Sequence, residues 1–99
     1  MDLPLTPKGS LITRRGRPLP LGATVERDGV RFAVFSRHAT RVWLELYDQP
    51  QAPEPVARLA LDPDYHRIGD IWCIHVAGIG PGQLYAFRAE GPYAPDQGH

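Results

Sequence analysis

The chain is 99 residues long and 42% hydrophobic, with eleven lysines and arginines balanced by eleven aspartates and glutamates. One modest core is the ceiling at this length, where a compact fold buries roughly 60–65% of the surface its unfolded chain exposes; a (β/α)8 barrel, at about 250 residues, does not fit, nor does a two-half dinucleotide fold. The charge balance argues against an electrostatic nucleic-acid binder, and the apolar content argues against a disordered chain.

Residues 1–17 are broken by Pro4, Pro7, Gly9 and Gly16, hold no secretory apolar core, and read as a partly ordered tail. Lys8, Arg14, Arg15 and Arg17 make this tail basic, but no aromatics are interleaved to support a nucleic-acid arm. Residues 23–27 and 30–36 flank Asp28-Gly29, a two-residue hairpin signal. Val30, Phe32 and Val34 alternate with Arg31, Ala33 and Phe35, the period of a half-buried strand. Residues 40–47 fit a strand through Val42, Leu44 and Leu46, and also a helical face through Ala39, Val42, Trp43, Leu46 and Tyr47. Their Thr, Val, Trp and Tyr content and the lack of a helix cap favour the strand. After the proline-rich loop at 50–55, further strands are expected at 56–61, 71–76 and 84–90. Turn chemistry separates them at Asp62-Pro63-Asp64, Ile68-Gly69-Asp70 and Gly80-Pro81-Gly82-Gln83, the last suited to a type II turn.

Six to eight short strands with closely spaced turns and no clear helix predict an all-β, immunoglobulin-like antiparallel β-sandwich over residues 18–92. The expected core is Val30, Phe32, Val34, Val42, Leu44, Leu46, Leu59, Leu61, Trp72, Ile74, Val76, Tyr85 and Phe87.

Signals of chemistry are thin. His38, His66, His75 and His99 share no metal-ligand spacing, and Cys73, the single cysteine, allows neither an internal disulfide nor a thiolate cluster. That usage is compatible with a cytoplasmic protein. Cys73 and His75 share a strand face, but two ligands do not close a zinc site, and the pair has no third group to orient it for nucleophilic work. Gly78-Ile79-Gly80-Pro81-Gly82 fails as a phosphate loop, because a strand follows it and Pro81 lacks the N–H that would face the phosphate. No two carboxylates are singled out as an acid/base pair, no cofactor or metal is indicated, and no apolar run approaches the ~18 residues of a membrane span.

The strand faces are more informative. With Val42, Leu44 and Leu46 inward, Trp43 and Tyr47 point outward, and Phe35 lies opposite Val34. An outward set of Phe35, Trp43 and Tyr47 makes an aromatic patch that monomers seldom leave bare. Three occupants fit it: the chain's own residues 3–12, another domain or partner protein, or a sugar whose flat face stacks on the rings while Arg41 and Glu45 take its hydroxyls. Trp72 shares a face with Ile74 and Val76 and reads first as a core residue, second as a ligand platform.

A wider pattern runs through Gly16-Arg17-Pro18-Leu19-Pro20-Leu21-Gly22-Ala23-Thr24, then Gly29-Val30-Arg31-Phe32-Ala33-Val34-Phe35-Ser36, then Ala39 and Val42 through Asp48. It continues with Gly69-Asp70-Ile71-Trp72, Pro81-Gly82, Tyr85 and Gly91-Pro92-Tyr93-Ala94-Pro95-Asp96-Gln97-Gly98-His99. This pattern resembles the N-terminal domain, or family-48 carbohydrate-binding module, of bacterial glycogen debranching enzymes of the isoamylase family. The resemblance implies a non-catalytic sandwich that docks on the catalytic barrel of the same parent chain, with residues 93–99 starting the linker toward it. It implies a parent that hydrolyses α-1,6 branches, with its nucleophile and acid on barrel strands outside this chain, and α-glucan as a partner without nucleic acid or membrane. The chain departs from the family pattern at Arg31, Trp43 and Cys73, and the sugar-binding tryptophans and lysine of glycogen-binding relatives have no match here. The docking or carbohydrate surface expected on these grounds comprises Phe35, Arg41, Trp43, Tyr47 and Trp72. The competing reading is a free-standing immunoglobulin-like adaptor for a protein partner, with a small independent hydrolase as a remote third.

Overall fold

The computed structural model describes residues 11–91 of the chain. Among them there is no helix, and so none long and apolar enough to cross a membrane. Eight strands follow one another: β1 (Ile12–Arg15), β2 (Gly22–Glu26), β3 (Gly29–Phe35), β4 (Arg41–Tyr47), β5 (Ala57–Leu61), β6 (Arg67–Ile68), β7 (Ile71–Ala77) and β8 (Leu84–Glu90). They form two antiparallel sheets. The larger has the order β1-β7-β3-β2, with β6 also on β7, and the smaller has the order β5-β4-β8. The expected all-β sandwich is therefore the fold that forms.

Alternation decides how the sheets meet. In the larger sheet the register sets Val30 opposite Val76, Phe32 opposite Ile74 and Val34 opposite Trp72, so the β3–β7 centre of one face is wholly apolar. In the smaller, Val42, Leu44 and Leu46 of β4 lie opposite Leu61, Leu59 and Ala57 of β5 and opposite Ala89, Phe87 and Tyr85 of β8. The two faces close on each other around Phe32, Leu44, Leu46, Trp72, Ile74 and Val76. Burying each such large side chain contributes about 1.5–3 kcal/mol. Ala39 and Ala57 join this core unexpectedly, whereas Tyr85 stays half open at its edge with its ring 4.7 Å from that of Phe32.

Two elements depart from the sequence reading in position, and the short strand β6 (Arg67–Ile68) forms where only a turn was expected. The hairpin between β2 and β3 pairs Glu26 with Gly29, so its two loop residues are Arg27 and Asp28, one place earlier than expected. Gly29 is needed for a different reason. A Cβ there would collide with the Val76 carbonyl oxygen and lie 2.8 Å from Ala77 Cα, so only glycine lets β3 approach β7 at this point. By contrast the turn at 80–83 is as expected: Gly82 has φ +87° and the Gln83 N–H donates to the Gly80 carbonyl at 3.3 Å. The second departure is β1, which lies within the stretch read as a tail and pairs with residues 74–77 of β7.

β1 and β2 sit on opposite edges of the larger sheet, and contacts of residues 16–21 with Arg31 place their connection over its outer face. This crossing, which contains a cis Leu19-Pro20 bond, roofs the sheet and buries Arg31, Ala33 and Cys73 beneath it. Arg31 fastens the roof: its NH1 donates to the carbonyls of Arg17 (3.1 Å) and Pro20 (3.4 Å), and its Nε to Glu26 (3.2 Å). Gly29→Ala should lower stability by about 1–3 kcal/mol in a urea titration, whereas Gly80→Ala, with no atom within 4 Å of the added methyl, should stay within about 0.5 kcal/mol. Equal effects at both positions would contradict the close β3–β7 approach.

Candidate functional site

The outer face of the smaller sheet gathers most of the residues expected to bind. Arg41, Trp43, Glu45 and Tyr47 alternate outward along β4. The register places Trp43 between Ala60 of β5 and Arg88 of β8, and Glu45 between Arg58 and Ala86. Small alanines beside Trp43 and Glu45 leave room over the sheet, and the long arginines lean into it.

Glu45 is the electrostatic centre of this face and is only 3% exposed although it points away from the core. Its Oε2 accepts hydrogen bonds from Arg58 Nε at 2.7 Å and Arg88 Nε at 3.2 Å, and its Oε1 accepts one from the Tyr47 hydroxyl at 3.0 Å. Burial pushes its pKa up, but the three donors and the Arg58 charge outweigh burial and hold the carboxyl below its ordinary value. The same hydrogen bond to Glu45 raises the Tyr47 phenol. Glu45 is thus a fixed anion that orders two guanidinium groups, not a proton donor.

Beside this clamp the surface dips into an open hollow of about 270 Å³ lined by Thr40, Arg41, Val42, Trp43, Ala60, Leu61 and Pro63. One aromatic ring, an apolar floor and an arginine at the rim suit a flat, hydroxylated ligand, which offers C–H faces to the ring and oxygens to the guanidinium.

The structure does not bring the expected residues into one patch. Phe35 is 53% exposed, but it stands on the outer face of the larger sheet, away from Trp43 and Tyr47 on the other side of the sandwich. Alternation tells which residues leave the core; it does not tell through which sheet they leave. Trp72 is not a surface residue at all: it is fully buried, its Nε1 donates to the Ser36 carbonyl at 3.1 Å, and Arg67 covers its ring at 5.0 Å.

The roofed face holds a polar cluster that the sequence reading touched only through the Cys73–His75 pair. His75, buried beside Arg31, has Nε2 3.1 Å from Asp28 Oδ1 and 3.4 Å from Glu26 Oε1. Burial would raise both carboxyls, yet Arg31 and Arg17 keep Glu26 low, and Arg14 keeps Asp28 low. Both carboxylates stay anionic acceptors near neutral pH, so neither is a proton donor. His75 Nδ1 has no hydrogen-bond partner among the described residues, nor has Nε2 of His66, whose Nδ1 accepts the Asp62 N–H at 2.8 Å. Burial lowers the His66 pKa and raises that of the Cys73 thiol, favouring the uncharged form of each. Among the described residues no group of three or more His, Cys, Asp or Glu side chains could hold a metal ion. The only sequence signal for the Glu26–Asp28–His75 cluster was the hairpin, which carries both carboxylates to its tip; the approach of His75 depends on β3–β7 pairing.

Comparison with known proteins is consistent with this picture of a small module. Residues 20–99 match the carbohydrate-binding module 48, described as the isoamylase N-terminal domain. A glycogen debranching enzyme of Klebsiella pneumoniae subsp. pneumoniae is 45% identical over 84 residues, which are 85% of this chain and 12% of that enzyme. Enzymes with the same name from Pectobacterium atrosepticum and Yersinia pestis bv. Antiqua are 41% identical over 83 residues (84% of this chain) and 38% over 88 (89%), again covering 12% of each. The chain thus spans about an eighth of the length of these relatives.

The Glu45 clamp has a pH signature. Its folded pKa lies below the unfolded carboxylate value, so its contribution is complete above about pH 4.3 and is lost as pH falls through the lower folded value. Urea midpoints measured from pH 7 downward should therefore drop more steeply for the wild type than for Glu45→Gln once below that point. Parallel curves would contradict the clamp.

Proposed function

Because the chain belongs to the carbohydrate-binding module 48 (isoamylase N-terminal domain) family, we propose that it is the non-catalytic β-sandwich module of a longer glycogen debranching enzyme, a glycoside hydrolase acting on α-1,6 branches. The observation that carries this reading is the match over residues 20–99 to a module that fills only 12% of enzymes bearing that name. In this reading the sandwich runs from β1 (Ile12–Arg15) through β8 (Leu84–Glu90), and residues 93–99 begin the linker toward the catalytic domain. The parent works in the cytoplasm, where the buried Cys73 stays a thiol.

Within that enzyme the module positions α-glucan and packs against the catalytic domain. The glucan surface is the outer face of the smaller sheet: a glucose ring stacks on Trp43 above the hollow, Arg41 donates to its hydroxyls, and the Glu45 clamp with Tyr47 stiffens the strand beneath. Holding a branched chain in place removes part of the entropic barrier to its cleavage elsewhere in the enzyme, and no group of this module reacts.

An NMR titration with maltoheptaose tests this. One ring face and a few hydrogen bonds correspond to roughly millimolar affinity, about 4 kcal/mol, so shifts should cluster at Trp43, Arg41 and Ala60 and vanish in Trp43→Ala. Shifts confined to other residues, or none, would contradict the glucan face. Release of reducing sugar from limit dextrin by the purified 99 residues would contradict the non-catalytic role.

A further inference from the structure

Resting on the reading that the chain continues into a catalytic domain, we infer that the row Phe35–Ile71–Ile68, on the outer face of the larger sheet, is the seat on which that domain docks. The register pairs Phe35 with Ile71 and Ile71 with Ile68, so the three side chains stand abreast on one face across β3, β7 and β6. The crossing at residues 16–21 buries Ala33 and Cys73 on this face, but Phe35 (53%) and Ile68 (39%) stay open. A contiguous apolar row in the open is the mark of an interaction surface rather than of a solvated face.

The ground beneath the row is fixed. Arg67 donates to the carbonyls of Gly69 at 2.8 Å and Arg37 at 2.8 Å while its guanidinium covers the Trp72 ring. Arg37 Nε donates to Asp70 at 3.1 Å, and the Ser36 N–H to the Asp70 carbonyl at 2.8 Å. A surface ordered in advance loses little entropy on association, and the Arg37–Asp70 pair at its rim gives it the mixed character of interfaces between domains.

The direction of the chain identifies the occupant. β8 ends at this end of the sandwich, with the Thr40 N–H donating to the Glu90 carbonyl at 2.7 Å. A Cβ on Gly91 would lie 3.0 Å from the His38 carbonyl oxygen, in the loop that leaves Phe35. The relatives are about eight times as long as the matched segment, and Gly91, from which such a chain would continue, lies at the end of the sandwich that carries this row. Tethering raises the local concentration of the next domain and lets a small apolar seat suffice.

Hydroxyl-radical footprinting of the 99-residue chain and of the full-length enzyme tests the inference. Oxidation at Phe35 and Ile68 should fall at least fivefold in the longer chain, while Trp43 changes little. Phe35→Thr should lower the midpoint of thermal unfolding of the longer chain at least about 4 °C more than that of the 99 residues. Unchanged oxidation at Phe35, or protection moved to Trp43, in an enzyme that debranches limit dextrin would overturn the docking seat and leave the functional reading standing. A longer chain without debranching activity would overturn both. A 99-residue chain that dimerises, and that Phe35→Thr renders monomeric, would assign the row to a second copy and overturn the inference.

Discussion

The apolar layer between the two sheets is the constraint on which the rest of this structure depends. Phe32, Trp72 and Ile74 from one side and Leu44, Leu46 and Phe87 from the other commit every second residue of the central strands to the interior. A chain of this size has no second core, so each remaining face must be covered by its own chain, closed by polar contacts, or left for a partner. The larger sheet takes the first course over most of its area, through the crossing at residues 16–21 fastened by Arg31. The smaller sheet takes the second around Glu45, and the half-buried Trp43 and the open Phe35 row carry the functional proposals.

The buried polar groups fit this division. Arg31, Glu45 and His75 sit on outer faces, yet each is nearly excluded from solvent. Desolvating a charge is costly unless it is paired and hydrogen-bonded, and Arg31 and Glu45 both have multiple partners. Such contacts fasten the outer faces, and the carboxylates involved are kept ionised by arginines. That electrostatic arrangement accords with the positioning role proposed for the module.

Much of the fold was legible because its strands obey a simple period. β8 occupies the residues expected, β4 and β7 differ by a residue at one end and β3 by a residue at both, and the turn at Gly82 was readable from Pro-Gly chemistry alone. β1 was not legible: Ile-Thr-Arg-Arg has no apolar alternation of its own and forms a strand because β7 offers it an unpaired edge. The hairpin register was missed because Gly29 answers to a close approach by β7 rather than to turn geometry. The site was only partly legible. Alternation placed Trp43, Tyr47 and Phe35 outside, but assigning Phe35 to the opposite sheet needs the strand order, and the pairing of Glu45 with Arg58 and Arg88 spans 13 and 43 residues of sequence.

The central claim, that one tryptophan is locked between the sheets while the other, half-buried, lies on the outer face proposed for glucan, is tested most directly by acrylamide quenching of fluorescence. In Trp43→Phe the remaining Trp72 should emit to the blue and resist quenching, with or without maltoheptaose. The difference between wild type and this variant, which isolates Trp43, should be quenched more readily than Trp72 and become shielded by the sugar. A readily quenched Trp72, or a Trp43 already inaccessible in the 99-residue chain, would contradict the account.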